Sequence, residues 1–79
     1  MARDYYAESR TLGLDLWDAG FKDWADKIDT VMEGGATAGE ILLGLRWTLG
    51  ELGMKAHGLP PDLKQRAESL RKEIDRALS

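Results

Sequence analysis

GGATAGEILLGLRWTLGELG, residues 34–53, is the stretch of sequence that decides the fold. Its two leading glycines can end a preceding helix, because glycine adopts the left-handed conformation without a Cβ clash. Thr37 and Glu40 follow at the spacing of a capping box, in which the threonine hydroxyl accepts from the amide of Glu40 and the carboxylate accepts from the amide of Thr37. A strongly apolar segment comes next. The stretch therefore predicts a long central helix near residues 38–56.

The predicted central helix carries apolar residues on two opposite sides. One row has the spacing of a core-facing surface: Ala38, Ile41, Leu42, Leu45, Leu49, Leu52 and Ala56. A second row, which we call the Trp47 stripe, follows steps of four, three and four and consists of Leu43, Trp47, Gly50 and Met54. A surface helix normally has one apolar face. Two faces indicate that the helix is covered on both sides, either by other helices of the chain or by a partner.

Gly44, Gly50 and Gly53 lie in the interior of the same helix. Each costs about 1 kcal/mol relative to alanine in a helix interior. Close approach of a neighbouring helix would explain them, and a bent or fraying helix end is the alternative. Glu51 and Lys55 stand four residues apart in the order that favours an ion pair.

Helical spacing predicts three further helices, near residues 4–19, 21–33 and 61–78. Gly20 and Gly58 are expected to end the first and third helices. On the fourth helix, opposite charges recur four residues apart and predict local ion pairs: Asp62–Arg66, Lys64–Glu68, Glu68–Lys72 and Arg71–Asp75. The whole chain, residues 1–79, is thus predicted to be a single all-α domain, a compact four-helix bundle organised around the central helix.

Composition argues against several classes of function. The chain has 14 acidic and 11 basic side chains without a basic cluster, and affinity for nucleic acid comes largely from neutralising phosphates. No run of 18 apolar residues lacks charges, and no hydrophobic export signal follows residues 1–6, so neither a membrane span nor export is predicted. The absence of cysteine fits a reducing, cytoplasmic setting.

The residue types of common active sites are sparse. Without cysteine there is no Cys–His catalysis, and the serines lack the context of a nucleophile paired with His57. One histidine and no cysteine argue against zinc. The segment from Asp15 to Asp26 has the length of a calcium loop, but Trp17 and Ala19 occupy its third and fifth ligand positions. We therefore expect no enzyme activity, no cofactor and no metal.

Acidic side chains concentrate on the first two predicted helices. Paired carboxylates can serve acid–base catalysis when they are buried near each other. Here they lie on the polar side of the helices and are expected to be solvated. They form a candidate acidic surface of Asp15, Asp18, Asp23, Asp26 and Asp29.

Residues 35–49, GATAGEILLGLRWTL, resemble a family of small, uncharacterised bacterial all-helical proteins, together with WADKI at 24–28 and LPPDL at 59–63. The similarity covers about half of the chain and lies in helix-forming and capping residues. It implies a bacterial, cytoplasmic setting and transfers no active site. The resemblance singles out Thr37, Glu40, Arg46 and Trp47.

These patterns favour a non-enzymatic protein–protein interaction module that makes contact through Leu43, Trp47 and Met54, because aromatic residues and methionine are enriched in interface cores. The partner is another protein or a second copy, and a two-fold homodimer is the simplest case. One alternative is that the fourth helix covers the Trp47 stripe within the chain. Another is an acidic immunity or antitoxin-like protein that blocks a basic partner through the acidic surface.

Overall fold

Four α-helices run through residues 3–79, the part of the chain that the computed structural model describes. They are α1 (Tyr5–Asp18), α2 (Lys22–Gly34), α3 (Ala38–Lys55) and α4 (Pro61–Leu78). Helices α1 and α3 each pack against both α2 and α4. The predicted all-α four-helix bundle is confirmed, and the observed helix ends differ from the predicted ones by at most one residue.

The turn between α1 and α2 is a Schellman motif centred on Gly20. Gly20 has a φ of 93°, in the left-handed region that glycine enters without a Cβ clash. The amide of Phe21 donates to the carbonyl of Leu16 at 2.8 Å. The amide of Gly20 donates to the carbonyl of Trp17 at 3.1 Å, which completes the motif. The predicted helix end at Gly20 is confirmed, and the sharp turn lays α2 against α1.

The α2–α3 connection corrects the prediction for its two glycines. Gly34 is the last residue of α2, and Gly35 is extended with φ −77° and ψ 131°, so neither uses the left-handed conformation. Gly35 is needed for space instead. A Cβ at Gly35 would collide with the side chain of Ile41 and would lie 3.2 Å from its backbone nitrogen.

The start of α3 shows the predicted capping box with one change. The hydroxyl of Thr37 accepts from the amide of Glu40 at 3.2 Å. The Glu40 carboxylate reaches back as expected, but it accepts from the amide of Ala36 at 3.2 Å rather than from that of Thr37. The amides of Ala36 and Glu40, which have no carbonyl partner within the helix, are thereby hydrogen-bonded.

One apolar cluster joins the four helices, and its part on α3 is the first predicted row. Leu45, Leu49 and Leu52 are at most 1% exposed. Ala38, predicted in the same row, is exposed because it lies at the first position of the helix. The other three helices contribute Leu12, Leu16, Ala25, Ile28, Leu63, Ala67, Leu70 and Ile74.

The glycines of α3 have different surroundings. At Gly44 a Cβ would lie 2.7 Å from Cγ1 of Val31, so the predicted close approach of a neighbouring helix is confirmed there. At Gly50 the nearest atom is Cδ of Arg71, at an ordinary contact distance of 3.6 Å. At Gly53 no such neighbour lies within 4 Å in the part of the chain that the structure describes, so the prediction of close approach is wrong for that glycine.

Ion pairs between helices replace two of the predicted local pairs, and Glu68 of α4 lies 3.9 Å from Arg71 at a spacing of three residues rather than four. The pair of Glu51 with Lys55 forms at 2.8 Å as predicted. On α4, however, the four predicted i,i+4 pairs are not found among the described residues. Instead, Arg66 pairs with Asp15 of α1 at 2.7 Å. Asp75 accepts from Arg46 of α3 at 2.8 Å, because tertiary packing brings that guanidinium within reach.

Replacement of two glycines of α3 by alanine should have opposite effects on stability. Gly44→Ala should lower the free energy of unfolding by about 1–3 kcal/mol, because the new methyl group overpacks the contact with Val31. Gly53→Ala should raise it by up to about 1 kcal/mol, because alanine is the better helix former and has open space there. Urea unfolding followed by circular dichroism measures both.

Val31→Ala combined with Gly44→Ala is the control. Because the two side chains share one contact, the double variant should be more stable than the sum of the single effects implies. Additive effects, or a Gly44→Ala variant as stable as the parent, would contradict the close approach of α2 and α3.

Candidate functional site

The Trp47 stripe lies on the outer surface of α3. Leu43 is 48% exposed, Trp47 is 66% exposed and Met54 is 82% exposed. A helix of period 3.6 that buries Leu45, Leu49 and Leu52 necessarily turns the Trp47 stripe away from the core. The alternative in which α4 covers the stripe within the chain is therefore wrong. Three large apolar side chains are left in contact with solvent.

Helix α4 packs along one side of α3 and leaves Leu43, Trp47 and Met54 exposed. The ion pair of Arg46 with Asp75 joins the two helices along this side. The aliphatic stem of Arg71 reaches Gly50, where its Cδ atom makes the contact described above. Long charged side chains thus form the border between α4 and the stripe, as at the polar rim of a protein interface.

A hollow lies beside the stripe, between α3 and α4. Trp47, Gly50, Gly53 and Met54 line it from α3. Charged residues of both signs complete the lining: Arg46, Glu51, Lys64, Glu68, Arg71 and Asp75. An apolar stripe next to a small-residue depression and a mixed charged border can bind another protein surface.

The five residues of the predicted acidic surface do not act as one group. Asp15 is the partner of Arg66, and its side chain is 43% exposed. Its charge is therefore neutralised at the α1–α4 contact. The other four carboxylates are exposed and form no ion pair among residues 3–79: Asp18, Asp23, Asp26 and Asp29.

Basic groups interrupt this acidic surface. The ammonium group of Lys22 lies 5.2 Å from the centre of the Trp17 ring, and that of Lys27 lies 4.3 Å from the centre of the Trp24 ring. Both distances are within the range of a cation–π contact. The surface of α2 is consequently of mixed charge rather than uniformly acidic.

A second exposed apolar pair was not predicted from the sequence. Leu14 is 69% exposed and Trp17 is 46% exposed. They line a groove of α1 and α2 together with Arg10, Gly13, Ala25 and Asp29. The available signal was that Leu14 lies off the core-facing row of α1 and stands three residues before Trp17, so both fall on one outer surface.

A separate polar contact joins the start of the chain to α1 and α4. The guanidinium of Arg3 donates to the carboxylate of Glu8 at 2.9 and 2.6 Å and lies 3.9 Å from that of Glu73. These hydrogen bonds hold the pKa of Glu8 below its ordinary value. Arg3 does not line the hollow beside the stripe, so this shift marks a structural contact rather than a reactive group at that surface.

Metal-binding and membrane-spanning features are both absent from residues 3–79. No group of three or more histidine, cysteine, aspartate or glutamate side chains within that range is arranged to hold a metal ion. No helix within it has the length and apolar character needed to cross a membrane.

Three of the residues singled out by the family resemblance have structural roles. Thr37 and Glu40 cap α3, and Arg46 joins α3 to α4. Trp47 differs from them, because its indole is two-thirds exposed. No protein-family model, curated protein or solved structure matches this chain. The resemblance to small bacterial helical proteins therefore stays a prediction.

Replacement of Trp47 by alanine should barely change the stability of the monomer. An exposed side chain contributes little packing, so Trp47→Ala should alter the free energy of unfolding by less than about 1 kcal/mol. Leu49→Ala, two positions along the helix but facing the core, should lower it by about 2–5 kcal/mol. The measurement is urea unfolding at the lowest protein concentration that gives a signal. Equal losses in the two variants would place Trp47 in the core.

Proposed function

We propose that this chain is a non-enzymatic helical protein–protein interaction module, bacterial and cytoplasmic, that binds its partner through the Trp47 stripe of α3. The observation that carries the proposal is the exposure of Leu43, Trp47 and Met54 on a helix whose opposite face is fully buried. Tryptophan and methionine are enriched at interface cores, and tryptophan is prominent among residues that dominate binding energy.

The remaining features of this surface fit an interface. The apolar centre is surrounded by charged residues that already form ion pairs within the chain, including Arg46 with Asp75 and Glu51 with Lys55. Such a rim can stay hydrated while the centre loses water. The partner is another protein or a second copy of this chain.

Site-specific photo-crosslinking tests the proposal, because the probe reacts with whichever protein lies against the stripe. The photoreactive residue p-benzoylphenylalanine is placed at the position of Met54, and the labelled protein is irradiated at a series of concentrations, alone and in a lysate of the source cells. We expect a defined crosslinked protein, which mass spectrometry identifies. The same probe at the position of Lys72, on the outer surface of α4, is the matched control.

Two results would contradict the proposed function even when the probe gives a crosslinked product. One is equal crosslinking from both probe positions, which would indicate random collision. The other is a defined product from Met54 that persists after Leu43→Lys and Trp47→Glu are introduced together, provided that circular dichroism shows intact helices. Charged residues in the centre of a true apolar interface should abolish the product.

An acidic immunity or antitoxin-like role is a second candidate, favoured by the exposed carboxylates of Asp18, Asp23, Asp26 and Asp29. Electrostatic attraction speeds the association of oppositely charged proteins and weakens as salt is added. We rank this candidate second, because Lys22 and Lys27 lie on the same helix and reduce its net negative charge.

Charge reversal on α2 tests this second candidate against any basic protein that the probe recovers. Asp26→Lys with Asp29→Lys should slow association at least tenfold at low salt and flatten its dependence on salt concentration. Stopped-flow measurement across a sodium chloride series gives both quantities. Glu33→Lys is the control, because it reverses a single carboxylate at the far end of α2, outside the candidate acidic surface. An association rate that changes neither with salt concentration nor with these charge reversals would rule out the acidic-surface mechanism.

A further inference from the structure

The spacing of the Trp47 stripe is the same in both directions along α3. Steps of four, three and four residues separate Leu43, Trp47, Gly50 and Met54. This is the alternation of apolar positions found along the seam of paired helices. A helix with such symmetric spacing can pack antiparallel against a second copy of itself so that each stripe residue lies opposite a stripe residue of the other copy.

An antiparallel arrangement of two copies of α3 matches large residues with small ones. With the two-fold axis midway between residues 48 and 49, Trp47 of one copy faces Gly50 of the other, and Leu43 faces Met54. Gly50 has no side chain and leaves room for the indole ring beside the stem of Arg71, whose Cδ atom lies 3.6 Å from where a Cβ of Gly50 would be. A parallel pair would instead place Trp47 against Trp47 and Gly50 against Gly50. The two indole rings would then collide at one level of the helix pair, and a gap would remain between the two glycines at the next level.

The charges beside the stripe are compatible with this arrangement. In an antiparallel pair each side of one helix faces the same side of the other, so the two copies of Arg46 approach along one border and the two copies of Glu51 along the other. Within each chain Arg46 is paired with Asp75, and Glu51 is paired with Lys55, both at 2.8 Å. Neither Arg46 nor Glu51 therefore meets its own copy as an unpaired charge.

We propose that the partner of the Trp47 stripe is a second copy of this chain, docked with α3 antiparallel so that each Trp47 rests on the Gly50 of the other copy. The inference rests on the proposed function and adds the identity and orientation of the partner. The three apolar side chains present less than the roughly 800 Å² per partner of a standard interface. The dimer is therefore a weak one that forms with rising concentration.

Disulfide crosslinking tests the orientation, since the chain has no cysteine of its own. Two single variants, Leu43→Cys and Met54→Cys, change exposed positions. In the antiparallel dimer position 43 of one copy faces position 54 of the other. In a dimer of one variant with itself, the two cysteines lie about 16 Å apart along the helix axis, because positions 43 and 54 are separated by eleven residues at a rise of 1.5 Å per residue. A disulfide requires Cα atoms within about 7 Å.

We expect the mixture of the two variants to form the mixed disulfide at least tenfold faster than either variant alone forms its own. A mixture of Met54→Cys with Lys72→Cys sets the rate of random collision. Faster crosslinking of either single variant with itself would overturn the antiparallel orientation. A rate no higher than random collision would overturn the dimer.

A second test examines the fit of Trp47 against Gly50. Gly50→Ala is tolerated within one chain, because the nearest atom is Cδ of Arg71 at an ordinary contact distance. The added methyl group occupies the space that Trp47 of the second copy needs, so the dimer dissociation constant from light scattering should rise at least tenfold. Gly34→Ala, at the end of α2 and away from the stripe, adds a methyl group where no neighbouring side chain lies within 4 Å in the described part of the chain, and it should leave the dissociation constant within twofold. Equal effects at both glycines would overturn the predicted contact.

Failure of this inference is distinguishable from failure of the proposed function. Suppose that the wild-type chain stays monomeric up to millimolar concentration while the probe at position 54 captures a different protein. That result overturns the inferred homodimer and leaves the proposed interaction function standing. A dimer that forms but crosslinks in the parallel sense overturns the orientation alone. Absence of any defined product from that probe, at every concentration and in the lysate, overturns both.

Discussion

The burial of Leu45, Leu49 and Leu52 on one face of α3 is the interaction on which the other features of the bundle depend. The chain contains no disulfide, and these leucines form the α3 part of an apolar cluster that spans all four helices. A domain of 79 residues has a small ratio of core to surface, so each of these leucines accounts for a large share of its stability. Their burial also determines which way every other residue of α3 faces.

The outward position of the Trp47 stripe follows directly from that burial. In the bundle α3 packs against α2 and α4, and a surface helix buries one face and leaves the opposite face to solvent. With the leucines inside, Leu43, Trp47 and Met54 fall on the opposite face. An apolar surface on that face adds nothing to the packing of the monomer, which is the physical reason to connect it with binding.

Polar contacts then set the borders of the exposed surface. Two ion pairs between helices, Arg46 with Asp75 and Arg66 with Asp15, join α4 to α3 and α1. Exposed pairs of this kind add little to stability, so the apolar cluster shared by the four helices holds α4 in position. The aliphatic stem of Arg71 contacts Gly50 and forms the border between α4 and the exposed side chains of the Trp47 stripe.

The sequence alone was enough to predict the helices and their ends, because the signals for them are local: apolar spacing, the Thr37 cap and the left-handed Gly20. It was also enough to separate the two apolar faces of α3. It did not reveal which face α4 would leave uncovered, or that Arg46 would capture Asp75, because those outcomes depend on the distances between helices. The close contact at Gly44 and the open space at Gly53 differ for the same reason, since identical residues on one helix meet different neighbours only after the bundle has assembled.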